Sequence, residues 1–254
     1  MGKISICYTD PNPISRIGKM AGLCWGANTE DDMKNYKRGL DCLESRHGRT
    51  WEFPDVTFII EGYSARVIRE LYTHIGGAPT RLQESTRYVD GATFEFITPK
   101  KILNNPEALE VYNNTMQKIR EGICILEGLG IHKEDAAMLL PLGMETKVVL
   151  KINLRTLISM AQQRLCTRAY WEFRELIKDM GNALAELSVE WGDIVDTYFV
   201  PKCEYEGVCH ERYSCGRMPT EKELKMRELK EQKTETHTCN CGGSCGENCS
   251  CKEH

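Results

Sequence analysis

The chain has 254 residues, 41% of them hydrophobic, and a formal net charge of −4. That length supports a full hydrophobic core, and the acidic balance gives no electrostatic reason to expect nucleic acid as a partner. No apolar run approaches the roughly 18 residues needed to span a bilayer, and Met1-Gly2-Lys3-Ile4-Ser5-Ile6 lacks a signal-peptide pattern, so a cytoplasmic protein without membrane contact is expected. Its thirteen Cys are then expected to be mostly reduced, and clusters of them point to metal more than to disulfides.

Lys3 to Tyr8 alternates as a strand does, and Asp10-Pro11-Asn12-Pro13 closes it. Thr29, followed by Glu30, Asp31 and Asp32, reads as an N-cap with an acidic first turn; behind it Met33, Tyr36, Leu40 and Leu43 form the core face of a helix. Val56 to Glu61 is β-branched and aromatic, a strand feeding a helix over 64–75 that stops at Gly76-Gly77. Pro79 then prevents resumption, and a short polar loop ends in Ser85-Thr86-Arg87-Tyr88, which combines hydroxyls, a guanidinium and backbone N–H groups, the means of holding a phosphate. Val89 to Thr98 reads as a strand with Gly91 at a turn or bulge. From Pro106 to Gly128 a helix carries Leu109, Tyr112, Met116, Ile119, Ile123 and Leu126 along one side, and a short helix follows Ile131 up to Leu140-Pro141.

Lys147 to Ile152 is a clear strand, and Asn153 is placed to cap the next helix. Leu154, Leu157, Ile158, Ala161 and Leu165 make that helix's apolar stripe; Arg155, Ser159, Arg164 and Arg168 lie on its polar side, followed by Trp171-Glu172. Arg155 and Arg164 are nine residues apart, about 900° of helical turn, so one straight helix cannot aim both at a single ligand.

Two ordered motifs carry a resemblance. His74, Thr80, Gln83, Ser85, Arg87 and Tyr88 fall on the positions of an Arg-His-Arg, spacer, Ser-x-Asn-Glu-x-Ser-x-Arg-Tyr signature, while Asn153, Arg155, Leu157, Arg164, Trp171 and Glu172 match Asn-x-Arg-Ser-Leu, a later Arg, and Trp-Glu. Between Thr50 and Leu187 the chain thus resembles the flavin-dependent thymidylate synthases. The resemblance implies an α+β fold with long helices, and methylation of dUMP to dTMP. Methylenetetrahydrofolate would supply the carbon, and FAD reduced by NADPH the hydride, in a homotetramer with active sites between subunits. No protein nucleophile is required, in keeping with the lack of a Cys in either motif. Arg164 is the expected catalytic residue, stabilising charge on the uracil ring. Glu70, Gln83, Ser85, Thr86 and Arg87 are expected with Arg164 at dUMP. His74, Asn153, Arg155, Ser159 and Arg168 are expected at FAD, where Trp51 or Phe53 either packs on the flavin or belongs to the core.

Departures from the family pattern are specific. Thr73 and Ile75 replace the two Arg residues flanking His74, Glu70 replaces a Gln, Arg168 a His, and Ala137 a phosphate-binding Arg for which Arg81 and Lys147 are candidate substitutes. They keep open flavin-dependent modification of another pyrimidine nucleotide, or hydroxymethylation of dUMP.

Eight of the thirteen Cys come after Lys202. Cys203, Cys209 and Cys215, with His210, have the residue types for tetrahedral Zn²⁺; free or buried thiols are the alternative. Thr220 to Thr236 is rich in Lys and Glu, a solvated helix or linker, and Cys239 to Cys251 with Gly, Ser and Asn spacers forms no core. The expected organisation is a catalytic domain over 1–218, with the 203–215 cluster at its end, and a linker and Cys-rich tail over 219–254. A metal-binding protein that retains the fold only as a scaffold is the reading from another class.

Overall fold

The structure, a computed structural model, describes residues 2–74, 79–87 and 91–235. It divides into two compact units, Met1–Val200 and Pro201–His254. The first unit contains β1 (Lys3–Thr9), α1 (Pro13–Cys24), α2 (Asp32–Glu44), β2 (Asp55–Ser64), α3 (Ala65–Leu71), β3 (Thr80–Gln83), α4 (Lys100–Leu103), α5 (Pro106–Gly128), α6 (Lys133–Ala136), β4 (Glu145–Asn153), α7 (Leu154–Arg164), α8 (Trp171–Ala185) and α9 (Val189–Tyr198). It is an α+β fold around one antiparallel sheet in the order β1-β2-β4-β3.

The sheet's alternation fixes which face meets the helices. Val56, Phe58 and Ile60 of β2 and Val148, Leu150 and Ile152 of β4 are buried, and β2 and β4 pair in a register that sets Phe58 against Leu150. Leu154, Leu157, Ile158 and Ala161 of α7, Phe173, Leu176, Ile177 and Met180 of α8, and Trp191 and Ile194 of α9 complete this core. A second cluster forms where Met116 and Ile123 of α5 meet Phe94 and Ala136.

Several sequence expectations need correction. The helix after Thr29 starts later: Asp31 is the N-cap, its carboxylate accepting from the Lys34 N–H at 3.0 Å. Thr29 instead accepts through its carbonyl from the Asn35 side chain. The buried face of α2 is Asn35, Gly39, Cys42 and Leu43, and Met33 is exposed. The reason is α1, a helix that the two prolines concealed and that packs tightly on α2. A Cβ on Gly18 would stand 1.8 Å from the Asn35 carbonyl oxygen, and one on Gly39 2.0 Å from that of Ile14. Glycines therefore let the backbones touch, and α2 turns that face inward instead of its longer apolar residues.

The helix expected over 64–75 ends at Leu71. The Thr73 and His74 N–H groups bond three residues back, to Glu70 and Leu71, which tightens the last turn and leaves His74 beyond the helix. The polar loop after Pro79 contains β3, which pairs with β4 and supplies one edge of the sheet. The strand expected over 89–98 is absent from residues 91–98, where a 3-10 turn (Gly91–Thr93) and a single bridge from Phe96 to Met144 occur. The α7 helix ends at Arg164, so Arg168 does not share a helical face with it.

In the second unit, α10 (Lys202–Glu206) and α11 (Glu221–Glu235) are the helices among the described residues. Thr220 and Glu223 cap α11 reciprocally: the Glu223 carboxylate accepts from the Thr220 N–H at 2.7 Å, and Thr220 Oγ1 accepts from the Glu223 N–H at 3.3 Å. The Cys239–Cys251 tail lies outside the described residues.

One buried carboxylate joins the sheet to the helices. Glu172, 3% exposed in the first turn of α8, accepts from the Ser64 N–H at 2.6 Å and from the Ser64 hydroxyl at 2.5 Å. Ser64 Oγ in turn accepts from the Val67 N–H and caps α3. Glu172→Ala leaves two buried donors unsatisfied, and the expected loss of stability is about 2–3 kcal/mol. Urea unfolding at fixed pH checks this; a midpoint unchanged from the unsubstituted protein refutes it.

Candidate functional site

Three elements converge at the end of α7. Arg164 is its last residue, where the negative end of the helix favours a cation. Its Nε donates to His74 Nε2 at 2.9 Å, one Nη donates to Thr73 Oγ1 at 3.3 Å, and the other lies 3.5 Å from a Glu70 carboxylate oxygen. The guanidinium sits over the Phe173 ring at 4.7 Å, and His74 meets the same ring edge-on at 5.8 Å. Phe173, fully buried, is thus the floor on which both side chains rest. Sequence reasoning passed over it, although it directly follows the Trp171-Glu172 pair.

Arg164 can only donate, so His74 Nε2 must be the unprotonated nitrogen and Nδ1 must carry the hydrogen. Burial, with the Arg164 charge added to it, pushes the His74 pKa down from 6.5 to about 4. At neutral pH the ring is therefore neutral, in a single tautomer, and presents Nδ1–H as a donor.

The other candidate flavin residues lie at the far end of α7, in its middle (Ser159) or beyond it. Asn153 caps the helix, Oδ1 accepting from the Thr156 N–H at 2.9 Å. Arg155 pairs with Glu52 at 2.6 Å, and a Cβ on Gly48 would fall 3.3 Å from its Nε, so Arg155 rests on the segment from His47 to Phe53. Within that segment Trp51 is buried and donates to the Cys42 carbonyl, a core position, while Phe53 is exposed. Ser159 Oγ accepts from the Gln163 side chain. Arg168 is exposed in the turn after α7. Nine residues of helix, about 14 Å, separate Arg155 from Arg164. Within one chain, then, the structure gathers His74, Glu70 and Arg164 but holds Asn153 and Arg155 apart from them.

The phosphate candidates follow β3. Gln83 donates to Thr146 Oγ1 at 3.3 Å. Ser85 Oγ accepts from the Arg87 N–H at 3.3 Å, which closes a turn. Arg87 pairs with Glu134 at 3.0 Å. Thr86 lines a cavity of about 330 Å³, together with Glu84, Phe94 and Lys147. Lys147 is engaged by Glu61 at 2.6 Å. Arg81 stacks on the Tyr72 ring at 4.4 Å.

The three candidate metal thiols are not gathered. Cys209 is buried, Cys203 half-buried and Cys215 exposed, and no group of three or more His, Cys, Asp or Glu side chains placed to hold a metal occurs among the described residues. His210 is held instead by Glu206 and Glu221, at 3.0 and 2.7 Å. Nor is any helix among the described residues long and apolar enough to cross a membrane.

The His74 geometry sets a pH dependence. The unfolded chain takes up the proton near 6.5 and the folded chain only near 4. The contribution to stability is therefore fully present above pH 6.5 and is lost as the pH falls through that window. An NMR titration of the His74 ring is expected to show a midpoint near 4, moving upward in Arg164→Ala; a midpoint near 6.5 in the unsubstituted protein contradicts the arrangement.

Comparison with known proteins gives a consistent result. The family profile described as thymidylate synthase complementing protein matches residues 5–188. The chain is similar to the flavin-dependent thymidylate synthase of Nitratidesulfovibrio vulgaris, with 29% identity over 85% of this chain and 95% of that one. It is 31% identical to the enzyme of the same name from Pyrococcus horikoshii, over 84% of this chain and 91% of the other. Among solved structures, the fold is similar to thymidylate synthase X from Helicobacter pylori with FAD and dUMP (19% identity, 77% of this chain and 99% of that one, TM-score 0.59). It is also similar to a UMP/dUMP methylase from Streptomyces cacaoi bound with 5-bromo-dUMP (18% identity, 79% and 97%, TM-score 0.64). With both motifs and the His74–Arg164 cluster inside the matched span, the chain belongs to the thymidylate synthase complementing protein family, whose curated relatives are flavin-dependent thymidylate synthases.

Proposed function

We propose that this protein methylates dUMP to dTMP, using methylenetetrahydrofolate as carbon donor and FADH2, formed from NADPH, as hydride donor. The observation that carries the reading is the Arg164 guanidinium held on Phe173 by His74, Thr73 and Glu70. A cation fixed at a helix end is suited to stabilising charge that develops on the oxygens of a uracil ring. Ser85, Thr86 and Arg87 are assigned to the substrate phosphate, with Gln83 and Glu70 orienting the nucleotide.

The donor set suits FAD. His74 contributes an Nδ1–H donor, Ser159 a hydroxyl, and Arg155, at the N-terminal end of α7, a cation for a pyrophosphate. Bound FAD supplies the hydride; the chain's own residues bind and orient. Because Arg155 and Arg164 lie at opposite ends of one helix, a complete site is assembled from more than one subunit, and a homotetramer in the cytoplasm is the assembly we assign. Arg168 joins FAD from the turn beyond α7, and Asn153 holds the helix end that presents Arg155.

A second reading keeps the flavin and changes the pyrimidine. Glu70 favours it: a carboxylate only accepts, and here it is turned to Arg164. A base other than uracil, or hydroxymethylation in place of methylation, would use that acceptor differently.

Arg164→Ala is expected to keep bound flavin and lose turnover by at least a hundredfold, as for removal of a preorganised charge-stabilising donor. Full activity in that variant overturns the assignment. Arg87→Ala is expected mainly to raise KM for dUMP, read by steady-state kinetics. An anaerobic visible spectrum tests the reading itself: flavin absorbance bleached by NADPH faster with dUMP present supports it. Protein that takes up no FAD refutes it. Mass analysis of the product from dUMP, UMP and dCMP separates the first reading from the second.

A further inference from the structure

Arg81 occupies a position where a long cation has little reason to stay. On β3 it pairs with Leu150, and Gln83 pairs with Val148, both buried residues of β4; directly paired residues project to the same face. Arg81 and Gln83 therefore turn toward the helices, while Leu82 is 72% exposed on the opposite face. β3 is an edge strand, so an Arg there has ready access to water by extending outward. Instead its guanidinium lies 4.4 Å from the centre of the Tyr72 ring, and one Nη is buried without a hydrogen-bond partner. No other buried side-chain nitrogen or oxygen among the described residues is in that condition. A desolvated guanidinium nitrogen is costly unless an acceptor meets it.

Tyr72 directly precedes Thr73 and His74, so the ring that holds Arg81 adjoins the Arg164 cluster along the chain. The alternative cations near this segment are already engaged, Arg87 by Glu134 at 3.0 Å and Lys147 by Glu61 at 2.6 Å. An anion reaching either one must displace a carboxylate; Arg81 has no carboxylate partner to displace among the described residues. The ring fixes the guanidinium plane, and the unsatisfied Nη is the donor that an oxygen of a tetrahedral oxyanion would satisfy.

We propose that Arg81 is a phosphate-binding residue of this site, held ready by Tyr72, and that it receives the 5′-phosphate of the pyrimidine nucleotide. This rests on the function proposed above. It gives the 80–87 segment two cations of different kinds: Arg81 on the inner face of β3, without a carboxylate partner, and Arg87 in the turn, shared with Glu134.

Equilibrium binding of dUMP and of deoxyuridine, which lacks the phosphate, to the FAD-loaded full chain tests the proposal. Arg81→Gln and Arg81→Ala are expected to weaken dUMP binding at least tenfold, to leave deoxyuridine binding unchanged, and to retain flavin absorbance; Arg81→Lys recovers part of the loss. Unchanged dUMP affinity, or an equal loss for both ligands, overturns it. So does a variant that binds dUMP normally but sediments as a smaller assembly, since Arg81 would then serve a carboxylate of a second copy. An unsubstituted protein that binds FAD but neither ligand defeats the proposed function along with this assignment, whereas normal dUMP binding with insensitive Arg81 variants defeats this assignment alone.

Discussion

Glu172 is the constraint on which the site depends. Its buried carboxylate meets both donors of Ser64, the residue at which β2 becomes α3. Two elements distant in sequence are locked at their ends by that contact. Downstream of Ser64, seven residues of α3 deliver Glu70 and the turn carrying Thr73 and His74; the residue after Glu172 is Phe173, the surface on which His74 and Arg164 rest. Position and floor are set by one hydrogen-bonded pair, and a short, capped α3 transmits the placement rigidly.

The α7 helix divides labour by its ends. The N-terminal end of α7, capped by Asn153, presents Arg155 toward the His47–Phe53 segment. Its C-terminal end presents Arg164 to α3 and α8. The apolar stripe between them is buried against β4, so neither end can move without the other. A ligand that meets Arg155 and one that meets Arg164 are spaced by the helix itself.

Much of this was legible in the sequence where side-chain pattern and backbone need agreed. β4, α5, and the cap at Asn153 follow directly from alternation, 3.6-residue periodicity and an amide placed before a helix. Arg164, His74 and Glu70 were identified from motif positions, and they meet in space. What escaped were features that depend on tertiary contact. α1 is introduced by Pro13, which reads as a turn until it is recognised as a helix's first residue. The inward face of α2 is chosen by glycine contact with α1, so an exposed Met33 looked like core. β3 is too short and polar to declare itself, and forms because β4 offers a free edge. Phe173 looked like one more apolar residue of α8. Its role depends on two residues that arrive from other elements.

His74 has a last consequence, for the orientation of whatever lies against it. A titrating imidazole can exchange donor for acceptor as the solution changes, and so tolerate a ligand bound either way round. Here Arg164 occupies the accepting nitrogen, and above about pH 4 the ring stays neutral with its one hydrogen on Nδ1. A ligand that reached Nδ1 would have to present an acceptor, a carbonyl or an unprotonated ring nitrogen, because an N–H turned toward it would be rejected. A heterocycle flipped about its long axis would face a donor with a donor. For such a ligand one side chain would select between the two orientations, and the neutral ring would keep that preference throughout the physiological pH range.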